Sequence, residues 1–205
     1  SVFYYSRQND CLRKELPELW HRLQFPESLQ WAEQAFGTGP PDAVNLWIGD
    51  ERATSSMHKD HYENLFFVAS GEKIFTLCPP ADAPFLYERR VPQAKFECKG
   101  CGWSVWSDID HDGKPAMVNW ITADVTRRHD TSYTKAFPLL EHAHFVDVRV
   151  QAGELLYLPA LWYHRVTQSC ETVGVNYWYD MRFESPAWCY FHFLQQLRPP
   201  TDEDD

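Results

Sequence analysis

The feature that most constrains this fold is a series of short apolar or alternating segments that are separated by turn residues. A strand alternates its side chains between two faces, whereas a helix repeats its apolar face every three or four residues. The strand pattern is found at 44–48, 64–68, 73–77, 145–150, 154–158, 163–166 and 173–178. Gly71 predicts a hairpin turn between the second and third of these segments. Short strands with almost no helix between them are typical of a closed or sandwiched all-β core.

Helical patterns flank the predicted β-core. Apolar residues recur at spacings of three and four between Cys11 and Phe36, with a break at Pro26 and an end at Gly37. An aromatic-rich segment near the C-terminus predicts a closing helix. The segment 79–144 is rich in Pro, Gly and charged residues. Because it is too long for a bare connection, we expect local helix or functional loops within it.

These patterns predict a single domain over 1–205. Its parts are a helical N-terminal flank at 1–43, a β-core at 44–180 with an irregular insert at 79–144, and a C-terminal helix at 184–198. A length of 205 residues fits one domain, and 44% hydrophobic residues supply a core that excludes a wholly disordered chain. The sequence does not begin with Met and enters directly into a β-like run, so we expect it to be a fragment.

Charge and cysteine content narrow the class of protein. Nineteen Lys and Arg stand against 29 Asp and Glu, and the net charge of −10 argues against a nucleic-acid partner, whose phosphates need basic side chains. No run reaches the roughly 18 apolar residues of a membrane helix, so we expect no membrane span. The six cysteines are scattered and the start lacks the pattern of a signal peptide. This predicts reduced thiols and a cytoplasmic or nuclear location.

Two histidines and one aspartate are spaced as metal ligands. Residues i and i+2 of an extended strand share a face, so His58 and Asp60 can converge on one point. His164 lies on a much later strand, and strands far apart in sequence become neighbours in a β-barrel. Two imidazoles and one carboxylate form the facial triad of non-haem Fe(II) oxygenases, which leaves other coordination positions open.

Spacing alone leaves two points open. His142 and His144 form a rival pair with the same separation. Lys73 lies on an otherwise apolar strand, where a buried ammonium needs a counter-ion such as a bound dicarboxylate. The alternative is that Lys73 lies at the edge of the strand and extends to solvent, as lysines commonly do.

Several motifs, in their order and separations, resemble those of the jumonji-C oxygenases. They are Asn45-Leu46-Trp47-Ile48-Gly49, His58-Lys59-Asp60-His61-Tyr62-Glu63-Asn64-Leu65, Gly71-Glu72-Lys73, the segment 153–164 and the segment 175–180. The likeness covers most of the chain, and within the family the chain most resembles the small lysyl hydroxylases. It implies that the family's N-terminal portion is missing here.

The resemblance implies a double-stranded β-helix of eight strands, a jelly-roll or cupin-like barrel. It implies that His58, Asp60 and His164 bind Fe(II), with 2-oxoglutarate and O2 as co-substrates. Lys73 then pairs with the distal carboxylate of 2-oxoglutarate, and Tyr4 hydrogen-bonds the same carboxylate unless the alignment shifts this role to Tyr5. The other residues implied to lie near the co-substrate are Ser55, Asn64, Asn176 and Trp47, the last as a wall of the pocket.

The resemblance also implies hydroxylation at carbon 3 of a lysine side chain in a protein substrate, with translation-factor-related GTP-binding proteins as the expected targets. Glu63, Asp50 and Asp180 are candidates to receive the lysine ammonium only because they lie near the motifs. Three alternatives are demethylation of methyl-lysine, cleavage of histone tails by an endopeptidase, and a binding module without catalysis. Peptidase activity has little support, because the sequence contains no His-Glu-x-x-His motif.

Two further patterns are weaker. Cys98 and Cys101 have the spacing of half a zinc site, but no second pair stands at the usual distance, so we interpret them as loop thiols. The closing helix either packs on the core or forms the contact of a homodimer, and its spacing does not separate the two.

Overall fold

The computed structural model of the chain describes Val2, residues 4–100 and residues 102–197. Its strands are β1 (Tyr4–Ser6), β2 (Ala43–Gly49), β3 (Ser55–His58), β4 (Tyr62–Ser70), β5 (Glu72–Cys78), β6 (Glu88–Pro92), β7 (Ala94–Lys99), β8 (Gly102–Ser107), β9 (Met117–Ile121), β10 (Val146–Gln151), β11 (Leu155–Leu158), β12 (Tyr163–Gln168) and β13 (Thr172–Asp180). Its α-helices are α1 (Cys11–Lys14), α2 (Pro17–Leu23), α3 (Gln30–Phe36), α4 (Thr131–Thr134) and α5 (Pro186–Gln196).

The contacts within the chain divide it into two compact units. One unit consists of Ser1–Ala81 and His144–Phe193, and the other of Asp82–Ala143 and Leu194–Asp205. The extent of a single domain over the whole chain therefore stays a prediction. Cys98 lies in β7 and is exposed, so its interpretation as a loop thiol is wrong. Cys101 lies outside the described residues, so whether the two cysteines form half a zinc site stays untested. No helix in the described residues has the length and apolar character that a membrane crossing requires.

The first unit contains two antiparallel sheets. One has the strand order β1-β2-β13-β4-β11 and the other the order β10-β5-β12-β3. Every strand expected from the sequence pattern is present, with small shifts at its ends. Side chains from both sheets form an apolar core, made of Phe66, Val68, Phe75, Leu77, Val150 and Leu158. The prediction of an all-β core with flanking helices is confirmed.

The N-terminal helices cover the outer face of the five-stranded sheet. Leu12, Trp20 and Ala32 of these helices belong to one buried cluster with Val175 and Tyr177 of β13. Because side chains alternate along a strand, Asn176, which lies between those two on β13, faces the opposite side of the sheet. One side of β13 therefore packs on the helices, and the other side faces the interior between the two sheets.

The helical flank differs from its prediction at two points. It contains a strand, β1, which pairs antiparallel with β2. The helix expected before Pro26 is divided into α1 and α2, since Pro17 begins the second helix. Proline lacks a backbone N–H and disfavours helical geometry in the residue before it, which accounts for the break at Leu16. The predicted end at Gly37 is confirmed, because this residue closes α3 in the left-handed conformation with φ of 68°.

The second unit contains strands that the sequence analysis missed. The segment expected to hold local helix or loops carries two antiparallel ribbons, β6 with β9 and β7 with β8. It also contains α4 and 3₁₀ segments at Pro80–Phe85, Val125–Arg127 and Pro138–His142, so the expectation of local helix is correct in part. All residues of β8 are exposed. A ribbon that buries neither face gives no apolar alternation, and this is why its strands leave no pattern in the sequence.

Candidate metal centre

The three residues predicted as metal ligands come together in the first unit. β3 ends at His58, which lies opposite His164 of β12 in the strand register, and Asp60 follows two residues later. The Oδ2 atom of Asp60 lies 3.6 Å from Nε2 of His164 and 4.0 Å from Nε2 of His58. The ligand atoms of all three side chains lie within 4.8 Å of one another. This separation suits three donors on one face of a metal ion.

Asp60 reaches the centre in a different way from the one predicted. The spacing predicts that His58 and Asp60 share one extended strand, but the strand ends at His58 and Asp60 lies beyond it. The carbonyl of Asp60 instead accepts a hydrogen bond of 2.9 Å from the backbone N–H of Leu161. Leu161 has a positive φ of 68°, a conformation that side chains disfavour. A tight turn just before His164 therefore holds the aspartate in place.

Glu63 stabilises this turn. Its Oε2 atom accepts hydrogen bonds from the hydroxyl of Tyr157, at 2.8 Å, and from the backbone N–H of Ala160, at 3.1 Å. The carboxylate thereby joins β4 to the segment that leads into His164. Glu63, one of the three residues suggested for the substrate ammonium, is already engaged in this structural role.

The two imidazoles are oriented for metal binding. Nδ1 of His58 lies 2.7 Å from the carbonyl of Ser56, and Nδ1 of His164 lies 3.0 Å from the carbonyl of Trp162. A carbonyl only accepts, so each Nδ1 carries the proton and each Nε2 keeps its lone pair toward the common point. Burial, together with the nearby His58, lowers the pKa of His164 to about 4. A neutral imidazole at neutral pH is the form that binds a metal.

The rival histidine pair does not form a comparable centre. Within the described part of the chain, His58, Asp60 and His164 are the group of His, Cys, Asp and Glu side chains close enough to hold one ion. His142 belongs to the second unit, where its ring lies 5.7 Å from that of Phe85. The structure thus brings the first set together as a possible metal site, and the assignment of these residues as ligands stays a prediction.

A cavity extends from the three ligands and contains every residue predicted to contact the co-substrate. Besides the ligands, its walls include Tyr4, Trp47, Ser55, Asn64, Lys73 and Asn176. These side chains come from β1, β2, β3, β4, β5 and β13, so both sheets contribute to one lining. Their functional roles remain predictions, but their juxtaposition agrees with the pattern of the sequence motifs.

Lys73 is buried in this cavity without a carboxylate partner. Its side chain is 1% exposed, so the alternative in which it extends to solvent is wrong. Nζ donates to Oε1 of Gln168 and lies 5.2 Å from the centre of the Tyr4 ring. No described carboxylate forms an ion pair with Lys73. Burial lowers the pKa of this ammonium to about 8. A buried cation is costly unless a counter-ion pairs with it.

Gln168 is a residue of the site that the sequence analysis missed. It stands opposite Lys73 in the register of β12 with β5, and its Nε2 donates to the carbonyl of Asp50 at 2.6 Å. A Cβ atom at Gly49 would lie 2.6 Å from both Nε2 of Gln168 and Cδ2 of Tyr4, so a larger residue there would displace one or both of these side chains. A glutamine at the end of a strand carries no pattern of its own, and only the strand register reveals its partner.

Tyr4, rather than Tyr5, is the tyrosine that faces the cavity. Tyr4 lines the cavity beside Lys73, and its hydroxyl is hydrogen-bonded to Ser55. Burial is the main cause of the raised pKa of Tyr4, so the phenol stays neutral and keeps its donor. Tyr5 packs instead against the cluster beneath the N-terminal helices. The alternation of the strand separates the two side chains, and the role of Tyr4 toward the co-substrate stays a prediction.

Comparison with known proteins gives a consistent result. The model of the cupin-like domain matches residues 1–185. The chain is 38% identical over 206 residues to JmjC domain-containing protein E of Dictyostelium discoideum, covering 95% of this chain and 58% of that protein. It is 40% identical over 204 residues to the bifunctional peptidase and (3S)-lysyl hydroxylase JMJD7 of Homo sapiens, covering 99% and 61%.

A third relative is named for a different activity. The chain is 39% identical over 203 residues to the lysine-specific demethylase JMJ32 of Arabidopsis thaliana, covering 96% of this chain and 57% of that protein. The chain thus spans about three fifths of the length of these curated relatives. The domain match confirms the predicted jelly-roll architecture of the β-core.

Proposed function

The chain belongs to the cupin-like domain family and to its JmjC members, and from this premise we propose that it is an Fe(II)- and 2-oxoglutarate-dependent oxygenase. The observation that carries the proposal is the pairing of two features in one cavity. The first feature is a group of three possible metal donors, His58, Asp60 and His164, whose ligand atoms lie close together. The second is the buried ammonium of Lys73 in the same cavity, which has no carboxylate partner among the described residues. A metal and a dicarboxylate are the ligands that such a pair of features suits.

The donor set fits Fe(II). Two neutral imidazoles and one carboxylate leave a divalent ion with a formal surplus of one positive charge, which favours an anionic chelator. When bound, Fe(II) and 2-oxoglutarate would reduce O2, so that one oxygen atom goes into succinate as CO2 is lost and the other hydroxylates a C–H bond. The contribution of the protein is to bind, orient and exclude water.

The residues of the chain divide these tasks. Lys73 binds the distal carboxylate of the co-substrate as a charge-assisted donor, and the neutral hydroxyl of Tyr4 is placed to add a second hydrogen bond. Gln168 holds the ammonium in position through its own bond to the backbone of Asp50. The backbone carbonyls of Ser56 and Trp162 keep His58 and His164, respectively, in the tautomer that binds metal.

For the substrate we propose a lysine side chain of a protein, hydroxylated at carbon 3. Support comes from the name of the human relative, a (3S)-lysyl hydroxylase, and from the net charge of −10. Of the three carboxylates suggested for the ammonium, Asp50 pairs with Arg52 and Glu63 is engaged in the turn. Asp180 remains as the candidate. Its backbone N–H donates to Oδ2 of Asp42 at 2.8 Å. Burial, and to a smaller extent the nearby Asp42 carboxylate, raises the pKa of Asp180.

Demethylation of methyl-lysine is the second candidate function. The similarity to a plant lysine-specific demethylase, at 39% identity, is the observation that favours it. Both reactions begin with oxidation of a C–H bond in a lysine side chain. They differ in the carbon that is oxidised, because an oxidised N-methyl group is lost as formaldehyde.

Reconstitution tests the proposal and separates its alternatives. The protein is loaded with Fe(II) and 2-oxoglutarate without oxygen, exposed to oxygen, and incubated with basic peptides that contain lysine or methyl-lysine. We expect succinate together with peptide that gains one oxygen atom. Formaldehyde with loss of a methyl group indicates the demethylase instead. Peptide cleavage that persists without 2-oxoglutarate and oxygen indicates a peptidase, and no succinate with any peptide contradicts the oxygenase proposal.

The pKa of Lys73 predicts how co-substrate binding depends on pH. Because burial lowers this pKa to about 8, the ammonium is present below that pH and is lost above it. The dissociation constant of 2-oxoglutarate should therefore be constant well below pH 8 and should increase above it by up to about tenfold per pH unit. Calorimetric titration with Mn(II) in place of Fe(II) measures this, and a dissociation constant that stays level to about pH 9.5 contradicts the role of Lys73.

A further inference from the structure

We infer that Trp47 is a positioning residue of the co-substrate site, because its indole N–H fixes the orientation of two buried amides and leaves an N–H donor of Asn64 for a bound ligand. The inference rests on the proposed function and deepens it. It assigns to Trp47 a directional role that a wall of the pocket does not have.

Three side chains on neighbouring strands form a continuous chain of hydrogen bonds. Nε1 of Trp47 on β2 donates to Oδ1 of Asn176 on β13 at 2.8 Å. Nδ2 of Asn176 donates to Oδ1 of Asn64 on β4 at 3.1 Å. The three strands are adjacent in the five-stranded sheet, and all three residues line the cavity that contains the metal ligands.

The indole gives this chain its direction. Two amides facing each other can form the same hydrogen bond in either sense, with either one as the donor. An indole nitrogen only donates, so the atom of Asn176 that faces Trp47 must be oxygen. The nitrogen of Asn176 then faces Asn64, which must offer its oxygen. The remaining group of Asn64 is therefore its Nδ2, which carries two hydrogens.

That remaining donor matters because of what the cavity is proposed to bind. Asn64 and Asn176 are 5% and 1% exposed, so their polar atoms need partners within the protein or on a ligand. The carboxylate and keto oxygens of 2-oxoglutarate only accept hydrogen bonds. With the reverse orientation, Asn64 presents its carbonyl oxygen to the cavity, and two acceptors then oppose each other.

Asn64 is held by its backbone as well as by its side chain. It lies opposite Trp178 in the pairing of β4 with β13 and opposite Leu158 in the pairing with β11. Because both edges of its strand are paired, the main degree of freedom left to the residue is rotation of its amide group. The donor of Trp47, two side chains away, controls that rotation through Asn176.

The test is the substitution Trp47→Phe, which keeps a ring in the wall and removes the donor. We expect the dissociation constant of 2-oxoglutarate, measured by calorimetry with Mn(II) bound, to increase about tenfold, which corresponds to the loss of one buried hydrogen bond. The affinity for Mn(II) alone should stay at the wild-type value, because the three metal ligands are unchanged. Trp20→Phe is the matched control, since Trp20 is a buried core residue in the cluster beneath the helices. It should change neither affinity.

A second measurement needs no ligand. In asparagine labelled with ¹⁵N, the side-chain amide signals of Asn64 and Asn176 should shift or broaden in Trp47→Phe and stay in place in Trp20→Phe. Unchanged amide signals and an unchanged 2-oxoglutarate affinity overturn the inference while leaving the oxygenase proposal intact. Equal losses of Mn(II) and 2-oxoglutarate binding also overturn it, because they indicate general damage. A wild-type protein that binds Mn(II) but no 2-oxoglutarate contradicts the proposed function instead.

Discussion

Replacement of Asp60 by alanine is expected to abolish both metal uptake and the formation of succinate from 2-oxoglutarate. Asp60 supplies the one negative charge of the triad, and its Oδ2 lies within 4.0 Å of the Nε2 atoms of both histidines. Without it, two neutral imidazoles remain. Removing only an outer-shell partner of a ligand costs about 10- to 100-fold in metal affinity, and the loss of a ligand should exceed this. Mn(II) titration and a succinate assay measure the two effects.

Two further variants make the result for Asp60 specific. Asp60→Asn keeps the shape of the side chain and removes its charge, so it should bind metal more weakly than wild type even if the amide oxygen still coordinates. His142→Ala removes the one histidine of the rival pair that lies in the second unit. It should leave metal affinity and succinate yield unchanged. Wild-type metal affinity in Asp60→Ala, or a loss in His142→Ala, shows that the ligand assignment is wrong.

The parts of the fold that could be predicted are those in which burial imposes a pattern. On β13, Val175 and Tyr177 face the helices while Asn176 and Trp178 lie on the side of the cavity. Both sides are buried, which makes the strand a nearly continuous apolar run that is recognisable in the sequence. The ribbon of β7 and β8 buries so little that Phe96 and Trp103 are exposed. An apolar residue that faces solvent gives no indication of the strand that carries it.

The site shows the same limit at the level of single residues. The spacing of His58 and Asp60 suggested a shared face, and the two residues do meet, but a turn at Leu161 brings them together rather than a strand. Lys73 could be identified because a charge within an apolar strand is conspicuous. Gln168, its partner, could not, since a polar residue near the end of a strand is ordinary. Which residues face each other depends on strand register, and register is a property of the whole sheet.

Replacement of Lys73 by methionine is expected to weaken the binding of 2-oxoglutarate and to remove a rise in stability with pH. The dissociation constant of 2-oxoglutarate should increase by at least about 100-fold, because a buried carboxylate loses its cationic partner. Methionine is apolar and flexible enough to fill the space of the lysine stem. The ammonium itself is costly to the free protein, since burial lowers its pKa to about 8.

The sign of the stability effect follows from that pKa. An unfolded lysine titrates near about 10.4, so between about pH 8 and 10.4 the unfolded wild-type chain binds more protons than the folded chain. The free energy of unfolding of wild type therefore gains up to about 3 kcal/mol across this window, and Lys73→Met lacks this gain. The variant also loses the hydrogen bond to Gln168. This loss lowers its free energy of unfolding by a similar amount at each pH, so it does not affect the change in stability with pH. The difference between the two proteins in urea unfolding, measured at both ends of the window, isolates the lysine.

A matched control separates the buried lysine from lysines in general. Lys95 forms an exposed ion pair of 2.8 Å with Asp108 in the second unit, and Asp108 raises its pKa. Lys95→Met should change neither 2-oxoglutarate affinity nor the rise in stability between about pH 8 and 10.4. If Lys73→Met instead follows wild type across the window, Lys73 is not held as an unneutralised cation. The anion site inferred from its burial then loses its physical basis, whatever the metal ligands do.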